Sequence, residues 1–445
     1  MCLEEIRSAS NFNVWSISIH LRGVILRTVL MITQKFPPFN GVGVLRVTKF
    51  VKYIQDFGWR PVVLTCKRQE NHLDAVDEKL LDGIPEDLSI HRVNAPSLYD
   101  VYRLVGGRAK QGSFSLSKNS MASLIRSLFV PDQYVAWYFT GVRKAKEIFQ
   151  VENIDAIYST SPRETSHLIG RTLHLKYKCP WIADFRDPWI EKQHRPKRIQ
   201  PLEQFEKYLQ KIVLRDSDCI LAAWPGIIRS FEPDIEEKTQ VLTNGFDEED
   251  FRGIEPHVFP KFTFLYAGSL FKELSPLPMF EALDVLLRTR PKLRQRMQFV
   301  LVGRQDAFVR DTITKYELEP YVDIIPQIPH RECLQYILGA DVLIFSIPDK
   351  QWIPSKIFEY LRAGRPILAI ADQDSDAVQM IRRVNPGLCF ASRDPGQIAG
   401  HISNLLQNRQ ISDCEIQNNR RLWEFERRQL AKQLAHTLDT LVNQV

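Results

Sequence analysis

VILRTVLMIT (24–33) followed by QKFPPFNGVGVLR (34–46) and the run to Phe57 is the stretch that decides the fold. Its first ten residues are almost wholly apolar, as a strand buried on both faces must be. The next thirteen are broken by two prolines and two glycines, which marks a loop. Beyond them Val47, Phe50, Val51 and Ile54 recur at helical spacing, so the segment 44–57 is predicted to be a helix with one apolar face. Strand, loop and amphipathic helix in that order open a βαβ unit, and RPVVLTC (60–66) supplies its second strand.

The same alternation continues outward. IDAIYST (154–160), PWIADF (180–185) and DCILAAW (218–224) read as strands, with a helix over 164–177. A second series begins near residue 240. It contains FTFLYAG (262–268), MQFVLVG (297–303), YVDIIPQ (321–327), DVLIFSI (341–347) and RPILAIA (365–371), with helices over 277–289 and 354–363. The last 45 residues read as helices, and residues 67–130 carry few signals, with a Gly/Ser-rich patch at 106–123. The pattern predicts an α/β protein with two Rossmann-like, doubly wound parallel-sheet domains facing each other across a cleft. The expected division is an extension over 1–23, a first domain over 24–240, a second over 241–415 and a helix over 416–445 that crosses back to the first. The joint falls near 236–243.

Composition narrows the class. The 445 residues are 44% hydrophobic and 25% charged, enough apolar material for two cores without disulfides. Cys2, Cys66, Cys179, Cys219, Cys333, Cys389 and Cys414 are dispersed and odd in number, which predicts reduced thiols and no zinc site. His20, Arg22 and Arg27 interrupt the apolar N-terminal run, so neither a signal peptide nor a membrane span is read there. A cytoplasmic protein is expected. The net charge of +6 is uneven: residues 101–215 hold 20 Lys+Arg and 10 Asp+Glu. A basic region of this kind suits phosphate-bearing ligands, an anionic membrane or simple solubility. The segment 128–139, followed by Arg143, Lys144 and Lys146, mixes aromatics with cations, as an interfacial contact or an internal helix would.

Six short motifs carry candidate chemistry, all at predicted strand ends or helix starts. Phe36–Gly43 holds Gly41 and Gly43, where backbone N–H groups can approach a phosphate, or where the chain turns tightly. Ser159 and Thr160 lead to His167, a set able to hydrogen-bond a sugar or to pack in a core. Asp184, Arg186 and Asp187 lie beside Phe185 and Trp189, a place for hydroxyl groups or a local ion pair. Asn244-Gly245 is a turn at the joint. Gly268 and Ser269, with Lys272 nearby, end a strand where a pyrophosphate can approach. Pro354-Ser355-Lys356 starts a helix, with Ser355 as a cap. Lys356 there is unfavourable for an isolated helix but apt beside an anion. Glu359 follows one turn later, where it can accept ribose hydroxyls or pair with Lys356. The Asp-x-Asp triplets at 216–218, 372–374 and 374–376 are read as capping or structural, and no metal is assigned.

FPPFNGVGVLR, STSPRETSHLIG, WIADFRDPW, LTNGFD, LYAGSL and IPSKIFEYLRAGRPILA, in this order over roughly residues 24–415, resemble the retaining glycosyltransferases of the GT-B fold, in the family 4-like group that builds bacterial surface polysaccharides. The resemblance implies transfer of a sugar from a nucleotide-diphosphate sugar to a glycan or polyprenyl-linked acceptor, with no cofactor and no nucleic acid. It implies Gly41, Gly43, Asn244, Gly268, Ser269, Lys272, Ser355, Lys356 and Glu359 on the donor, with Glu359 at the ribose. It places Ser159, Thr160, Arg186 and Asp187 on the acceptor side, and His167, Asp184 and Lys356 at the reacting centre. Many relatives carry a glutamate eight positions before Glu359; Gln351 stands there here. The usual Arg-plus-Lys pair after the glycine strand is reduced to Lys272. A sugar-nucleotide epimerase of the same fold and a non-catalytic nucleotide-sugar-binding protein remain as alternatives.

Overall fold

A computed structural model describes residues 26–39, 41–67, 77–81, 83–95, 127–190, 198–231, 233–274, 276–407 and 419–444. The expected extension over 1–23 and the Gly/Ser patch at 106–123 lie outside them. The first sheet contains β1 (Arg27–Ile32), β2 (Trp59–Cys66), β3 (Ser89–Val93), β4 (Ala156–Thr160), β5 (Trp181–Phe185), β6 (Cys219–Ala222) and β7 (Thr239–Val241). The second contains β8 (Phe262–Ala267), β9 (Met297–Val302), β10 (Val322–Ile325), β11 (Val342–Ser346), β12 (Ile367–Ile370) and β13 (Cys389–Ala391). Their spatial orders are β3-β2-β1-β4-β5-β6-β7 and β10-β9-β8-β11-β12-β13, with parallel pairing throughout.

The helices of the first half are α1 (Val42–Tyr53), α2 (Trp137–Val151), α3 (Thr165–Tyr177), α4 (Gln200–Asp216) and α5 (Pro225–Arg229). Then follow α6 (Glu248–Phe251), α7 (Leu277–Thr289), α8 (Ala307–Lys315), α9 (His330–Gly339), α10 (Lys356–Ala363), α11 (Asp376–Val384), α12 (Pro395–Gln407), α13 (Arg420–Trp423) and α14 (Arg427–Val442).

The two sides of β1 show why its sequence is continuously apolar. Val29 and Met31 face a cluster with Val47, Phe50 and Val51 of α1, while Leu30 and Ile32 face the opposite cluster with Ile169 of α3 and Val213 of α4. Helix α1 passes into a single 3-10 turn, and Gly58, with φ 86°, stops it in the left-handed conformation glycine favours. Leu430, Ala431, Leu434, Ala435 and Leu438 of α14 complete the α1 face of the first sheet. Each buried leucine there contributes about 1.5–3 kcal/mol. Asp439 fastens the end of that helix to Arg27 at 3.0 Å and to the Trp59 indole at 3.1 Å.

Three strands escaped the sequence reading. β3 is half-buried with His91 and Arg92 inside it, and β7 and β13 are three residues long, too short for any periodicity. The chain leaves the first sheet only after Val241. Ser355 makes no side-chain cap to α10, because its backbone is already helical. At α11 the cap is Ser375, whose hydroxyl accepts from Val378, and not one of the flanking aspartates.

Candidate functional site

In a parallel sheet, ligands bind beyond the carboxyl ends of the strands where chain order reverses. The reversals here lie between β1 and β4 and between β8 and β11. Gly41, Gly43, Ser159 and Thr160 follow the first; Gly268 and the segment leading to Lys356 follow the second.

The first group is tightly knit. Asp184, fully buried at the end of β5, accepts from Arg46 Nε at 3.0 Å and Nη2 at 2.8 Å, from Tyr158 at 2.6 Å and from Thr160 at 2.9 Å. Arg46 comes from α1 and also donates to the carbonyl oxygens of Leu242 and Thr243, at 2.8 and 2.6 Å. Burial alone raises the Asp184 pKa, but the Arg46 charge and these hydrogen bonds outweigh it and hold the carboxyl below its ordinary value. The expected cleft carboxylate is therefore an internal ion pair that ties α1 to the connector. Both its oxygens are engaged and neither reaches the surface, so the carboxylate is closed to an acceptor in this arrangement. Thr160 is spent on the same network.

His167 is likewise buried, against the Phe185 ring at 4.5 Å and the Trp189 ring at 6.4 Å. Its Nδ1 lies 2.9 Å from Ser159 Oγ, which accepts from Trp181 Nε1 at 2.8 Å. The Ser159 hydroxyl hydrogen is then available to Nδ1. Its position as a sugar-touching residue is not what this packing shows; the ring is part of the core under β4 and β5.

Arg186 donates from Nε to the Ser161 carbonyl oxygen, and burial lowers its pKa. Its guanidinium lies against Gly43 in the first turn of α1. A Cβ on Gly43 would stand 2.5 Å from Cζ and 2.7 Å from Nη2, so any larger residue there must push the guanidinium aside. Gly43→Ala is expected to displace Arg186 and to lower stability by about 1–3 kcal/mol. Thermal melts of Gly43→Ala and Gly43→Ala/Arg186→Ala check this. The double variant regains most of the loss if the arginine is the obstacle; an equal loss in both refutes it.

The second group is more open. Gly268 and Gly303 end β8 and β9 with φ of 153° and 127°, and a Cβ on Gly303 would meet the Gly268 carbonyl carbon at 2.8 Å. Tyr360 of α10 accepts from the Ala267 N–H at 2.8 Å, which fixes that helix beside the Gly268 turn. Lys356 Nζ donates to Glu359 Oε2 at 2.8 Å, and His330 Nε2 lies 3.1 Å from Glu359 Oε1. Burial raises the Glu359 pKa, yet Lys356 and His330 outweigh it and bring the carboxyl down to about 2. The Lys356 pKa is raised: burial lowers it, and the Glu359 charge more than compensates. The Lys272 ammonium stands 5.6 Å over the Phe308 ring. Ser269 is half-buried at the same turn. His330 was not found from sequence; only its place at a helix start after β10 could have drawn notice.

The halves meet at the joint. Asn244 is buried with no partner for Oδ1, and Gly245 admits the Phe425 backbone, whose carbonyl carbon would be 3.0 Å from a Cβ there. Close approach, more than turn geometry, explains this glycine. Asp247 accepts from Lys49 at 2.5 Å and from Tyr53 at 2.8 Å, while Arg362 of α10 holds both oxygens of Glu248. Gln351 packs against Gly226 of α5, where a Cβ would come within 2.8 Å of its own Cβ. Half-buried Asp187 follows Arg186 in the β5 loop.

Cys66, Cys179, Cys219, Cys333 and Cys389 are free and buried, and among the described residues no three His, Cys, Asp or Glu side chains gather as metal ligands. Asp216 pairs with Arg171 at 2.6 Å, Asp374 with Lys350 at 2.9 Å and Asp372 with Arg393 at 3.2 Å. No described helix is long and apolar enough to cross a membrane.

Residues 261–408 match the family model described as glycosyl transferases group 1. No curated protein matches the chain. Among solved structures, sucrose-phosphate synthase from Thermosynechococcus elongatus aligns with a TM-score of 0.63 and 14% identity, over 94% of this chain and 100% of that one. Anabaena HepE in complex with UDP and glucose gives 0.62 and 16%, over 93% and 100%. A Listeria monocytogenes protein assigned as a UDP-N-acetylglucosamine 2-epimerase gives 0.55 and 10%, over 95% and 98%. The second sheet and its helices thus match the glycosyl transferase group 1 model, and the chain has the two-Rossmann-like-domain GT-B fold that these structures share.

Proposed function

We propose that the protein transfers a hexose from a nucleotide-diphosphate sugar to a glycan or polyprenyl-linked acceptor, with retention and without a metal, in cell-surface polysaccharide synthesis. The observation that carries the reading is the Lys356–Glu359 pair on α10, fixed through Tyr360 beside the Gly268 turn and inside the segment that matches the family. Lys356 spends one of its three donors on Glu359 and keeps two for a diphosphate. Glu359, ionised throughout the neutral range, accepts ribose hydroxyls. The Gly268 and Ser269 turn admits the pyrophosphate, with Ser355, Lys272 and Asn244 at its margin. Gly41 and Gly43 meet the same diphosphate from the first domain, because their helix start faces the β1/β4 reversal.

Developing charge on the leaving diphosphate is stabilised by Lys356 and the backbone N–H groups opening α10. Same-face attack by the acceptor needs no protein nucleophile. The acceptor enters over the Arg186–Asp187 loop, while Asp184 and His167 act from beneath it by fixing the loop and α1. Leu128 and Phe139 are 55% and 73% exposed, and exposed Arg143 follows Phe139 by one turn of α2, which supports a contact with the inner face of the membrane.

The test is a mass-spectrometric screen of the purified protein against a panel of nucleotide sugars, with and without membrane lipid extract. Free nucleotide and a glycosylated lipid that appear only together with extract are the expected result. An isomerised sugar without extract would instead establish an epimerase, and nucleotide binding without turnover under every condition a binding protein.

A further inference from the structure

His330 is a group the proposed transfer does not use, although it touches one of its central residues. It stands at the first position of α9, after Pro329, and its Nε2 reaches Glu359 Oε1 at 3.1 Å across to α10. Lys356 holds the other oxygen at 2.8 Å. The carboxylate is thus gripped from two helices, with its orientation fixed and its second lone pairs left for a ligand.

Charge decides what the grip means. Lys356 and Glu359 cancel, so with neutral His330 the trio carries no net charge, and with protonated His330 it carries +1. The groups facing His330 are Glu359 and Lys356 from α10 and Asp250 from α6. Arg427 of α14 faces the same Glu359 and Asp250.

We propose that His330 is a positioning residue of the nucleotide site, whose imidazolium orients Glu359 and adds positive charge beside Lys356, so that a nucleoside diphosphate binds with uptake of a proton. This inference rests on the nucleotide-site reading of Lys356 and Glu359. Burial lowers the His330 pKa, but the Glu359 hydrogen bond and charge exceed that and leave it raised. An arriving diphosphate places negative charge beside the ring and favours its protonated form further. The affinity should fall as the pH rises through the His330 pKa.

Calorimetry with UDP, GDP, ADP, CDP and TDP, in buffers of different ionisation enthalpy over about pH 6–9, measures the proton count. Wild type should take up a fraction of one proton with whichever diphosphate binds. His330→Ala should bind about tenfold or more weakly below the transition, with little change above it. His330→Gln, which keeps a donor but no charge, should retain the high-pH affinity and lose the pH dependence. Binding without proton uptake, or an equal loss in His330→Ala at every pH, overturns the proposal. Histidine NMR titration of the ligand-free protein separates its failure from that of the site. Glu359→Gln should lower the His330 midpoint, and an unmoved midpoint refutes the coupling even if no diphosphate binds.

Discussion

Asp184→Ala lowers the stability of the first domain by about 3–5 kcal/mol, because it strands the Arg46 guanidinium in a site with no solvent. At about 2–4 °C per kcal/mol for a domain of this size, its melting temperature falls by roughly 10 °C. The loss extends beyond one pair, since Tyr158 and Thr160 lose their acceptor and Arg46 its hold on the 242–243 backbone. Thermal unfolding checks the value, and a loss below about 1 kcal/mol would mean that the pair is replaceable by water. Replacing both partners by apolar residues of similar volume should cost less than removing either one. The pKa shift sets the pH range. A carboxyl held below its ordinary value contributes fully above that value, and the contribution disappears only as pH falls through the depressed one.

Lys356→Ala, by contrast, should spare the fold and remove turnover. The ammonium is partly exposed, so its pair with Glu359 contributes at most about 1 kcal/mol. Loss of a positioned charge at a leaving diphosphate costs about 10²–10³ in kcat. Steady-state kinetics on the acceptor found in the screen, with a melting curve alongside, separates the two quantities. A kcat within threefold of wild type would place the charge stabilisation elsewhere, and a collapsed melting curve would make Lys356 a structural residue. Together the two variants divide the chain's charged residues: one carboxylate that matters to folding and one cation that matters to chemistry.

The alternation of strands and helices was readable because each long strand is buried on both faces and each long helix shows one apolar stripe. β1, β2, β4, β5, β6, β8, β9, β10, β11 and β12 emerged from this pattern with small changes at their ends. The edge strands β3, β7 and β13 did not, since β3 carries His91 and Arg92 and the other two have only three residues each to show. For the candidate site, the sequence offered residues at strand ends but not their partners. Glycines and polar residues at strand ends pointed to both chain reversals. What Asp184 does there depends on Arg46, 138 positions earlier in the chain, and no local spacing shows that pairing. The same holds for His330, whose partner Glu359 comes from the next helix but one strand away. Local chemistry was visible; neutralisation by distant partners was not.

Helix α14 gives the first sheet a late-arriving lid. The apolar face made by Val29, Met31, Val47 and Phe50 is finished by Leu430, Leu434 and Leu438, which are synthesised after the whole second sheet. At ordinary ribosomal speeds the interval from Val241 to Arg427 lasts roughly 10–40 s. During that time the second domain can reach its own compact state while the first still shows a greasy flank to the cell. The apolar flank of the first sheet is therefore covered only once α14 has left the ribosome, although most of that sheet is made first.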